Sequence, residues 1–325
     1  MFKNHPNIPL LHYLSEHSFQ SATCLAYRMR ISHTAVLKQI ETLKEWGYHI
    51  AADPEKGLRI ISRPDLLLPD EIQRKLHTKT VGKQVYYFPT IVSTNNFARQ
   101  AILEKKIDLK EGSIVLAEVQ TAGKGRLGRT WFSPKGGLWL TLILFPELEP
   151  AYISRITLMT SVVLVKVLNK LYNISAKIKW PNDIIISNKK NSGILTEMST
   201  VSNHIRFVLI GVGMNVNIDR NFFPEKLRSH SISIQDALHQ PVDRVALMRL
   251  LLENFEKYYN LLCTRQFERI RQEWKMYAYN WHQKIKVSTK GKIITGKVID
   301  LDQQGALVIR LGDGSVRHIL SGTVK

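Results

Sequence analysis

The sequence predicts an α+β protein with three parts: an N-terminal winged helix-turn-helix, a central mixed α/β domain built on a β-sheet, and a C-terminal SH3-like β-barrel. Three observations predict this class. Residues 1–65 have the pattern of short helices followed by a hairpin, residues 66–275 alternate strands with helices, and residues 276–325 form short strands between turns. A chain of 325 residues is long enough for two or three domains with a proper core.

The first part is predicted from helical periodicity. Its clearest element is a helix with Ser32 as N-cap and a core face of Val36, Ile40 and Leu43, ending at Gly47. Two shorter helices precede it, and the segment YHIAADPEKGLRI then predicts two strands around a Pro/Gly turn. Short helices, a tight turn and a terminal hairpin are typical of a winged helix-turn-helix.

In that motif, the first residues of the last helix face the major groove of DNA. The candidate DNA contacts are Ser32, His33, Thr34 and Lys38. The alternative is a small helical protein-interaction domain. It is favoured by the weak charge of residues 1–65, with eight Lys or Arg against six Asp or Glu, and by Arg30, which occupies a turn position where glycine is common. A left-handed backbone at Arg30 costs about 1 kcal/mol.

Turns and prolines predict the remaining boundaries. The segment SRPDLLLPDEI, residues 62–72, contains two prolines and marks the end of the first domain. In the last part, turns at residues 290–292, 302–305 and 312–314 separate strands of alternating apolar and polar residues, which close naturally as a small barrel.

Charge and composition restrict the partners and the location. The formal net charge of +19 indicates a polyanionic partner, which a nucleic acid, a nucleotide, pyrophosphate or an acidic protein would satisfy equally. The most apolar stretch, 156–165, is shorter than the ~20 residues of a membrane span and predicts a buried helix. The N-terminus lacks a signal-peptide pattern. Cys24 and Cys263 are predicted to be reduced packing residues, so we expect a cytoplasmic protein that makes no membrane contact.

The segment GKGRLGRTWFSPKGG, residues 123–137, contains glycines at the G-x-G-x-x-G spacing of a dinucleotide-binding fingerprint. That fingerprint requires a strand before the glycines and a helix that opens within them. The strand is predicted at 113–120, but Pro134, two further glycines and an apolar strand follow Gly128. The dinucleotide interpretation therefore fails. What remains is a glycine-rich loop with Lys124, Arg126 and Arg129, which could surround an anion.

Further strands follow this loop. Residues 176–198 predict three strands separated by turns at 181–183 and 188–191, and residues 205–218 predict another strand. Upstream, a strand ends near Ser93 and Thr94 and a helix begins there, with Phe97, Ala98 and Ala101 on its apolar face.

Together these segments resemble the biotin–protein ligase family, in the bifunctional form that carries an N-terminal DNA-binding domain. Five motifs in the family's order carry the resemblance: STN at 93–95, QTAGKGRLGRTWFSP at 120–134, KWPND at 179–183, KNSGIL at 190–195 and GVGMNVN at 211–217. The resemblance covers essentially the whole chain.

The resemblance implies a two-step reaction. Biotin is joined to ATP, in the presence of Mg²⁺, to give biotinyl-5′-AMP and pyrophosphate, and a lysine of a biotin carboxyl carrier protein then takes the biotin. Biotin and ATP with Mg²⁺ are reaction components, and no permanent prosthetic group is expected. The resemblance also implies a homodimer when the adenylate is bound, and repression through operator DNA.

The resemblance assigns roles residue by residue. The implied catalytic cations are Lys190, which reaches the biotin carboxylate and the α-phosphate, and Arg126. The implied biotin-binding residues are Ser93, Thr94, Asn95, Gln120, Gly123, Lys124, Gly125, Arg126, Lys190 and Gly193. The implied nucleotide-binding residues are Arg126, Arg129, Trp131, Asn182, Asp183 and Asn215, with Asp183 also as a Mg²⁺ ligand. At two positions this sequence departs from the family pattern. Lys124 stands where the family commonly has arginine, and Leu127 stands where some relatives have a cationic residue.

Two alternatives remain at this point. One is a biotin-sensing repressor without ligase activity, against which Lys190, Arg126 and Asp183 argue. The other is a lipoate or octanoate ligase of related fold, which would not be expected to contain both GKGRLGR and KWPND at these places.

Overall fold

The computed structural model describes residues 9–105, 107–289 and 291–324. Residues 1–8, on which the expectation about a signal peptide rests, and Lys290 of the first C-terminal turn lie outside this part. The described residues form three sheets of two, seven and five strands. The α+β class predicted from the sequence is confirmed.

The N-terminal part has the predicted winged pattern. After a short 3₁₀ helix at Pro9–His12 come α1 (Ala22–Met29), α2 (His33–Glu45), β1 (His49–Asp53) and β2 (Gly57–Ser62). Ser32 caps α2 by accepting a hydrogen bond from the backbone N–H of Ala35. Arg30 has a φ of 55°, so the turn between α1 and α2 does carry the left-handed strain that the sequence suggested.

The central sheet is mixed. Its strands are β3 (Val85–Ile91), β4 (Ile114–Gln120), β5 (Leu138–Leu144), β6 (Lys177–Lys179), β7 (Asp183–Ile186), β8 (Lys189–Val201) and β9 (His204–Met214). The spatial order is β3-β4-β5-β9-β8-β7-β6, in which β3 and β4 run parallel and all other neighbours antiparallel. This arrangement brings the ends of β4, β5, β8 and β9 to one region.

Helices cover both faces of this sheet. The helices after the N-terminal part are α3 (Pro69–Gln73), α4 (Thr94–Leu103), α5 (Ser154–Tyr172), α6 (Glu225–Arg228), α7 (Ile234–Leu238), α8 (Arg244–Cys263) and α9 (Phe267–Tyr277). On one face α4 packs against Val115, Ile143 and Leu209, while α5 and α8 belong to the larger core on the other face. Because both faces are covered there, β5 is fully buried and almost wholly apolar, with the sequence LWLTLIL.

Helix α5 contains the apolar stretch 156–165. With the residues before it, it is long and apolar enough to cross a membrane by length and composition. Most of it is nevertheless buried inside the protein, where it contacts α8, α9 and β8. The prediction of a buried core helix is confirmed.

The C-terminal part is a five-stranded antiparallel sheet of SH3-like arrangement. Its strands are β10 (Lys284–Thr289), β11 (Lys292–Leu301), β12 (Leu307–Arg310), β13 (Val316–Ile319) and β14 (Thr323–Val324). The order is β13-β12-β11-β10-β14, so the short last strand lies at the edge beside β10. Helix α9 joins this part to the rest of the molecule, because Arg271 and Lys275 both pair with Asp300 of β11.

Two local predictions were wrong. The turn expected at 188–191 is instead centred on Ser187 and Asn188, which both have left-handed φ values, and β8 already begins at Lys189. Lys190 is therefore held on a strand rather than on a solvated turn. Cys24 and Cys263 are free thiols, as expected, but they are exposed and do not pack in the core, because their neighbours Leu25 and Leu262 occupy the buried positions.

Candidate active site

The segments singled out in the sequence meet around one cavity of about 260 Å³ beside the central sheet. Of the residues expected to bind biotin or nucleotide, the following line it: Ser93, Thr94, Asn95, Gln120, Lys124, Gly125, Arg126, Arg129, Trp131, Asn182, Asp183, Lys190, Gly193 and Asn215. These positions span more than 120 residues of sequence. The fold therefore brings almost the whole expected set together.

Gly123 is the exception, since it does not line the cavity. It lies behind the wall, where a Cβ atom would approach the Ser133 Oγ and the Trp131 carbonyl oxygen to 2.5 Å each. Its backbone carbonyl accepts a hydrogen bond from the Trp131 N–H. Gly123 thus allows the two sides of the glycine loop to close on each other.

The glycine loop forms a narrow hairpin rather than a helix. Gly125 N–H donates to the Arg129 carbonyl at 2.7 Å, and a 3₁₀ turn at Arg126–Gly128 forms the tip. The rejection of the dinucleotide-binding fingerprint is confirmed, because no α-helix opens at these glycines. Leu127 at the tip has a φ of 57° and is 76% exposed. The loop therefore presents an unburied apolar side chain at the mouth of the cavity.

The indole of Trp131 lies flat on the sheet at two glycines. Gly193 of β8 and Gly213 of β9 face each other across the strands, and a Cβ at either would come within 3 Å of the Trp131 ring. The Nε1–H of Trp131 is buried and has no acceptor among the described residues. Buried donors are seldom left unpaired, so this N–H is available to a ligand.

Lys190 is fixed inside the cavity by two contacts. Its Nζ lies 2.7 Å from Asp183 Oδ1, as an ion pair, and 5.0 Å from the centre of the Trp131 ring. The backbone of Lys190 is also held, because its N–H donates to the His230 carbonyl and its own carbonyl accepts from Ile232 N–H. The side chain and the backbone of Lys190 are thus both held in place by neighbouring residues.

Arg126 joins the glycine loop to two other segments. Its Nη1 donates to Asn182 Oδ1 at 2.7 Å, and its Nη2 donates to the carbonyl oxygen of Gly322 at 3.2 Å. Burial lowers the pKa of Arg126 from its usual value, and the nearby Asp183 carboxylate partly offsets this effect. The guanidinium stays charged at neutral pH, because its ordinary pKa lies far above 7.

The C-terminal sheet closes one side of the cavity, through residues that the sequence did not single out. Gly322, Thr323 and Val324 line it, and Arg129 Nη2 donates to Thr323 Oγ1 at 3.2 Å. No motif marks SGTV as part of a site, since its role comes from pairing of β14 with β10.

Another part of the cavity wall is polar but uncharged. Ser93 and Thr94 begin α4, and the Thr94 N–H and Oγ1 both lie within hydrogen-bonding distance of Gln120 Oε1, at 2.9 and 3.1 Å. Gln120 Nε2 in turn donates to Ser133 Oγ. These hydroxyl and amide groups offer both donors and acceptors to a small polar ring.

The rim of the cavity includes the segment after β9. Asn215 is buried and its Nδ2 lies 3.5 Å from the carbonyl of Ile232, while Phe223 packs against Phe132 of the glycine loop. Phe223 and Leu227 also line the cavity and were not expected from the sequence. Two segments distant in sequence thus form one apolar rim.

The electrostatics of the cavity favour an anion. Within the described residues, its lining contains five cationic side chains and a single carboxylate, that of Asp183; the cations are Lys124, Arg126, Arg129, Lys179 and Lys190. No group of three or more His, Cys, Asp or Glu residues able to hold a metal ion occurs in the described part of the chain. One carboxylate suits a Mg²⁺ ion that arrives with phosphate oxygens, which is the usual way Mg²⁺ is bound in nucleotide sites.

The expected DNA-contacting residues lie together at the start of α2. Ser32, His33, Thr34 and Lys38 are all exposed, while Val36 and Ile40 face the core. The Ser32 hydroxyl is already used as the helix cap, which leaves the other three side chains unengaged on this face within the described residues.

Three family models match the chain in order. An HTH domain matches residues 9–59, the Biotin/lipoate A/B protein ligase family matches residues 87–215, and the Biotin protein ligase C terminal domain matches residues 283–325. The chain is 34% identical to the bifunctional ligase/repressor BirA of Bacillus subtilis (strain 168) over 308 residues, which are 94% of each chain. It is 29% identical to the Escherichia coli (strain K12) protein of the same name, over 98% of this chain and 96% of that one.

The fold agrees with this relationship. The structure of the biotin protein ligase from Aquifex aeolicus in complex with biotin and ATP superimposes with a TM-score of 0.65 and 26% identity, covering 75% of this chain and 98% of that one. The match over nearly the whole length of the Bacillus relative includes the N-terminal domain. The chain therefore belongs to the biotin protein ligase family, in its bifunctional form that combines a ligase with a helix-turn-helix repressor domain.

Proposed function

We propose that this protein activates biotin with ATP to form biotinyl-5′-AMP and pyrophosphate, and transfers biotin to a lysine of a biotin carboxyl carrier protein. The observation that carries this proposal is the cavity itself. Its lining combines five cations and one carboxylate with neutral hydroxyl and amide groups. A substrate that carries both a neutral polar ring and phosphates matches that lining.

The biotin subsite would lie where α4 meets the sheet. Its contacts would come from Ser93, Thr94, Asn95, Gln120, Lys124, Gly125, Arg126, Lys190 and Gly193. Gly123 would act indirectly, by letting the glycine loop close behind this subsite. Lys124 takes part in the loop hairpin through its backbone, which pairs with Thr130, so a lysine can replace arginine there without loss of that contact.

The nucleotide subsite would lie beside Trp131, with Arg126, Arg129, Asn182, Asp183 and Asn215 around it. The unpaired Nε1–H of Trp131 offers one donor to the nucleotide. Mg²⁺ would enter with ATP as part of the substrate, and Asp183 would be its protein ligand.

In the first step, a carboxylate oxygen of biotin forms a bond to the α-phosphorus of ATP, and the bond from that phosphorus to the bridging oxygen breaks. Pyrophosphate leaves with the electron pair. Two anions must approach each other, so a cation is needed between them, and Lys190, which pairs with Asp183 and lies over Trp131, would supply it. Arg126, fixed by Asn182 and Gly322, would hold the glycine loop over the mixed anhydride and keep water away.

In the second step, the neutral amine of the carrier lysine attacks the carbonyl carbon of biotinyl-5′-AMP. An amide bond forms, the bond from the acyl carbon to the phosphate oxygen breaks, and AMP leaves. The amine loses a proton to solvent. The cations around the phosphate lower the energy of the departing AMP.

The test is to incubate the protein with MgATP, a biotin-carrier domain and either biotin or lipoate. We expect the mass of the carrier to increase by one biotinyl group when biotin is supplied, and to stay unchanged when lipoate is supplied. Pyrophosphate release is followed in parallel without carrier. Labelling with lipoate alone would show a lipoate ligase, and absence of pyrophosphate release with either acid would show a sensor without catalysis.

We further propose that the protein is cytoplasmic, that its domains divide at residues 65/66 and 275/276, and that the adenylate-bound form is a homodimer that binds operator DNA. A dimer doubles the number of phosphate contacts, which compensates for the weak charge of residues 1–65. Binding of the protein to the biotin-operon promoter that it represses is expected to be at least several-fold tighter with biotin and ATP than without them.

Sedimentation and DNA binding, measured with and without biotin and ATP, test this. Lys38→Ala should weaken binding and leave ligase activity unchanged, whereas Lys44→Ala, at the far end of α2 where Lys44 pairs with Glu41, is the matched control. Equal DNA binding by wild type and the Lys38 variant would remove the assigned role of α2.

A further inference from the structure

A buried hydrogen-bonded chain extends from the biotin subsite to a carboxylate outside it. Asn95, in the first turn of α4, donates from Nδ2 to Glu197 Oε2 at 2.8 Å. Its Oδ1 accepts from the hydroxyl of Thr141 on β5. Gly211 on β9 makes room for this amide, because a Cβ there would lie 2.6 Å from Asn95 Oδ1. Arg99, one turn further along α4, pairs with the other oxygen of Glu197 at 2.8 Å.

The chain continues into the subsite. Thr141 Oγ1 lies 2.8 Å from Thr94 Oγ1, and Thr94 Oγ1 lies 3.1 Å from Gln120 Oε1. The side chains of Thr94, Asn95 and Thr141 are all buried, at 4% exposure or less. Neither Glu197 nor Thr141 lines the cavity, so both act on a ligand through other residues.

Glu197 sets the direction of each hydrogen bond in this hydrogen-bonded chain. An ionised carboxylate only accepts, so the NH₂ group of Asn95 must face it and the amide oxygen must face Thr141. That oxygen also only accepts, so the single hydroxyl hydrogen of Thr141 points to Asn95. Towards Thr94, Thr141 can then offer only a lone pair.

Thr94 is constrained in turn. Its hydroxyl hydrogen can point to Thr141 or to Gln120 Oε1, which are both acceptors, and in either case it is used inside the chain. Thr94 therefore presents only lone pairs to the cavity. Ser93 is the opposite case: its oxygen accepts from the Asn96 N–H as a helix cap, and its hydrogen has no acceptor among the described residues. The subsite thus offers Thr94 as an acceptor beside Ser93 as a donor. This pair matches a ligand group in which an N–H lies beside a C=O.

We propose that Glu197, acting through Asn95 and Thr141, is a positioning residue that turns the Thr141 hydrogen away from Thr94 and so keeps the lone pairs of Thr94 for the ureido N–H of biotin. This inference rests on the proposed function and adds a specificity-determining residue to it. A merely structural role for Glu197 would be small, because its ion pair with Arg99 is about one third exposed on both sides, and such pairs contribute little to stability.

Steady-state kinetics of three variants test the inference. Glu197→Leu removes the acceptor and frees the Asn95 amide to turn, so KM for biotin should rise by about tenfold while kcat and KM for ATP change less than twofold. Arg99→Met leaves the carboxylate in place and should stay within about twofold of wild type. In the Arg99→Met background, Glu197→Gln should bring KM for biotin back from the raised value of Glu197→Leu to within about threefold of wild type. Without Arg99, the oxygen of the introduced glutamine amide has only the NH₂ group of Asn95 to accept from.

Glu268→Leu is the matched control, since Glu268 makes a similar pair with Arg271 at 2.8 Å and does not line the cavity. A KM for biotin in Glu197→Leu within twofold of wild type would overturn the inference. So would an equal rise in KM for ATP, or no recovery in the Gln variant. If wild type itself does not use biotin, the proposed function fails instead, and the two failures are distinguished by the wild-type assay.

Discussion

Replacing Lys190 by alanine is expected to slow adenylate formation by about 10²–10³-fold and to leave the fold intact. The Nζ of Lys190 lies 2.7 Å from Asp183 Oδ1 and 5.0 Å from the centre of the Trp131 ring. These two contacts hold the ammonium group inside the cavity. This group lowers the energy of the negative charge that accumulates when the biotin carboxylate approaches the α-phosphate.

Two estimates give the magnitude. A cation 4 Å from a unit negative charge contributes about 4 kcal/mol at an effective dielectric constant near 20. Loss of one preorganised donor costs about 2.7–4 kcal/mol in kcat in comparable cases. Because the side chain of Lys190 is 33% exposed, solvent screens part of the first figure. We therefore expect a loss within 10²–10³-fold, or about 2.7–4 kcal/mol.

The assay is single-turnover release of pyrophosphate with saturating biotin and MgATP. Lys189→Ala is the matched control, since Lys189 precedes Lys190 on β8 but does not line the cavity. The Lys190–Asp183 pair is partly exposed and contributes about 0–1 kcal/mol to stability, so thermal unfolding should shift by less than about 4 °C. A Lys190→Ala rate within threefold of wild type, or an equal loss in Lys189→Ala, would contradict the role assigned to the Lys190 ammonium group.

Three further predictions follow from other contacts. Arg126→Gly removes the bonds to Asn182 and Gly322, so biotinyl-5′-AMP should escape faster and label bystander lysines; unchanged retention would mean that other groups hold the loop. Gly213→Ala places a Cβ 2.5 Å from Trp131 Nε1 and should raise KM for ATP several-fold. Gly312→Ala, with open space around it, should leave this KM unchanged. Equal KM values for ATP in the two variants would show that Trp131 does not contact the nucleotide. Burial raises the pKa of Glu256, but three backbone N–H groups outweigh this effect and hold the pKa below its usual value. Its contribution to stability is thus present above about pH 4.5 and lost as the pH falls through the folded-state pKa, so Glu256→Gln should destabilise the protein at pH 7 and progressively less towards pH 3; a constant difference would contradict this.

Much of the site could be predicted because its residues lie in short motifs at strand ends. The pair Gly193 and Gly213 illustrates this, since both fall in motifs, and the structure shows that the Trp131 ring requires them to lack a Cβ. The turn before Lys190 was misplaced because SNKKN contains several good turn residues, and only the pairing of β7 with β8 decides among them.

The missed residues lacked such a pattern. Thr141 is one hydroxyl within LWLTLILF, and its sequence neighbours give no reason to single it out. Its role depends on α4 packing over the exact point where β5 faces Gly211 of β9. Gly322 and Thr323 were missed for a similar reason, because a separate domain must dock before they reach Arg126 and Arg129. Contacts of this kind depend on tertiary packing, which local sequence does not encode.

Several contacts link the N-terminal domain to the rest of the molecule, among them those of Tyr48 and Arg63 to Glu71 of α3 and those of the buried Arg244. Arg244 is fully buried and donates to Asp65 in the linker, to Glu118 of β4 and to the carbonyl of Gly137 just before β5, each at 2.8 Å. β4 leads into the glycine loop and β5 leads out of it, so the linker is attached to both strands that hold the loop. A rotation that pulled Asp65 away would break its pair with a buried guanidinium; because Asp65 is 46% exposed, solvent screens this pair, and the cost is below the ~3–5 kcal/mol of a fully buried pair. The N-terminal domain is therefore expected to move with the catalytic sheet, and any effect of the adenylate on DNA binding is expected to come from pairing of two chains rather than from a hinge at the linker.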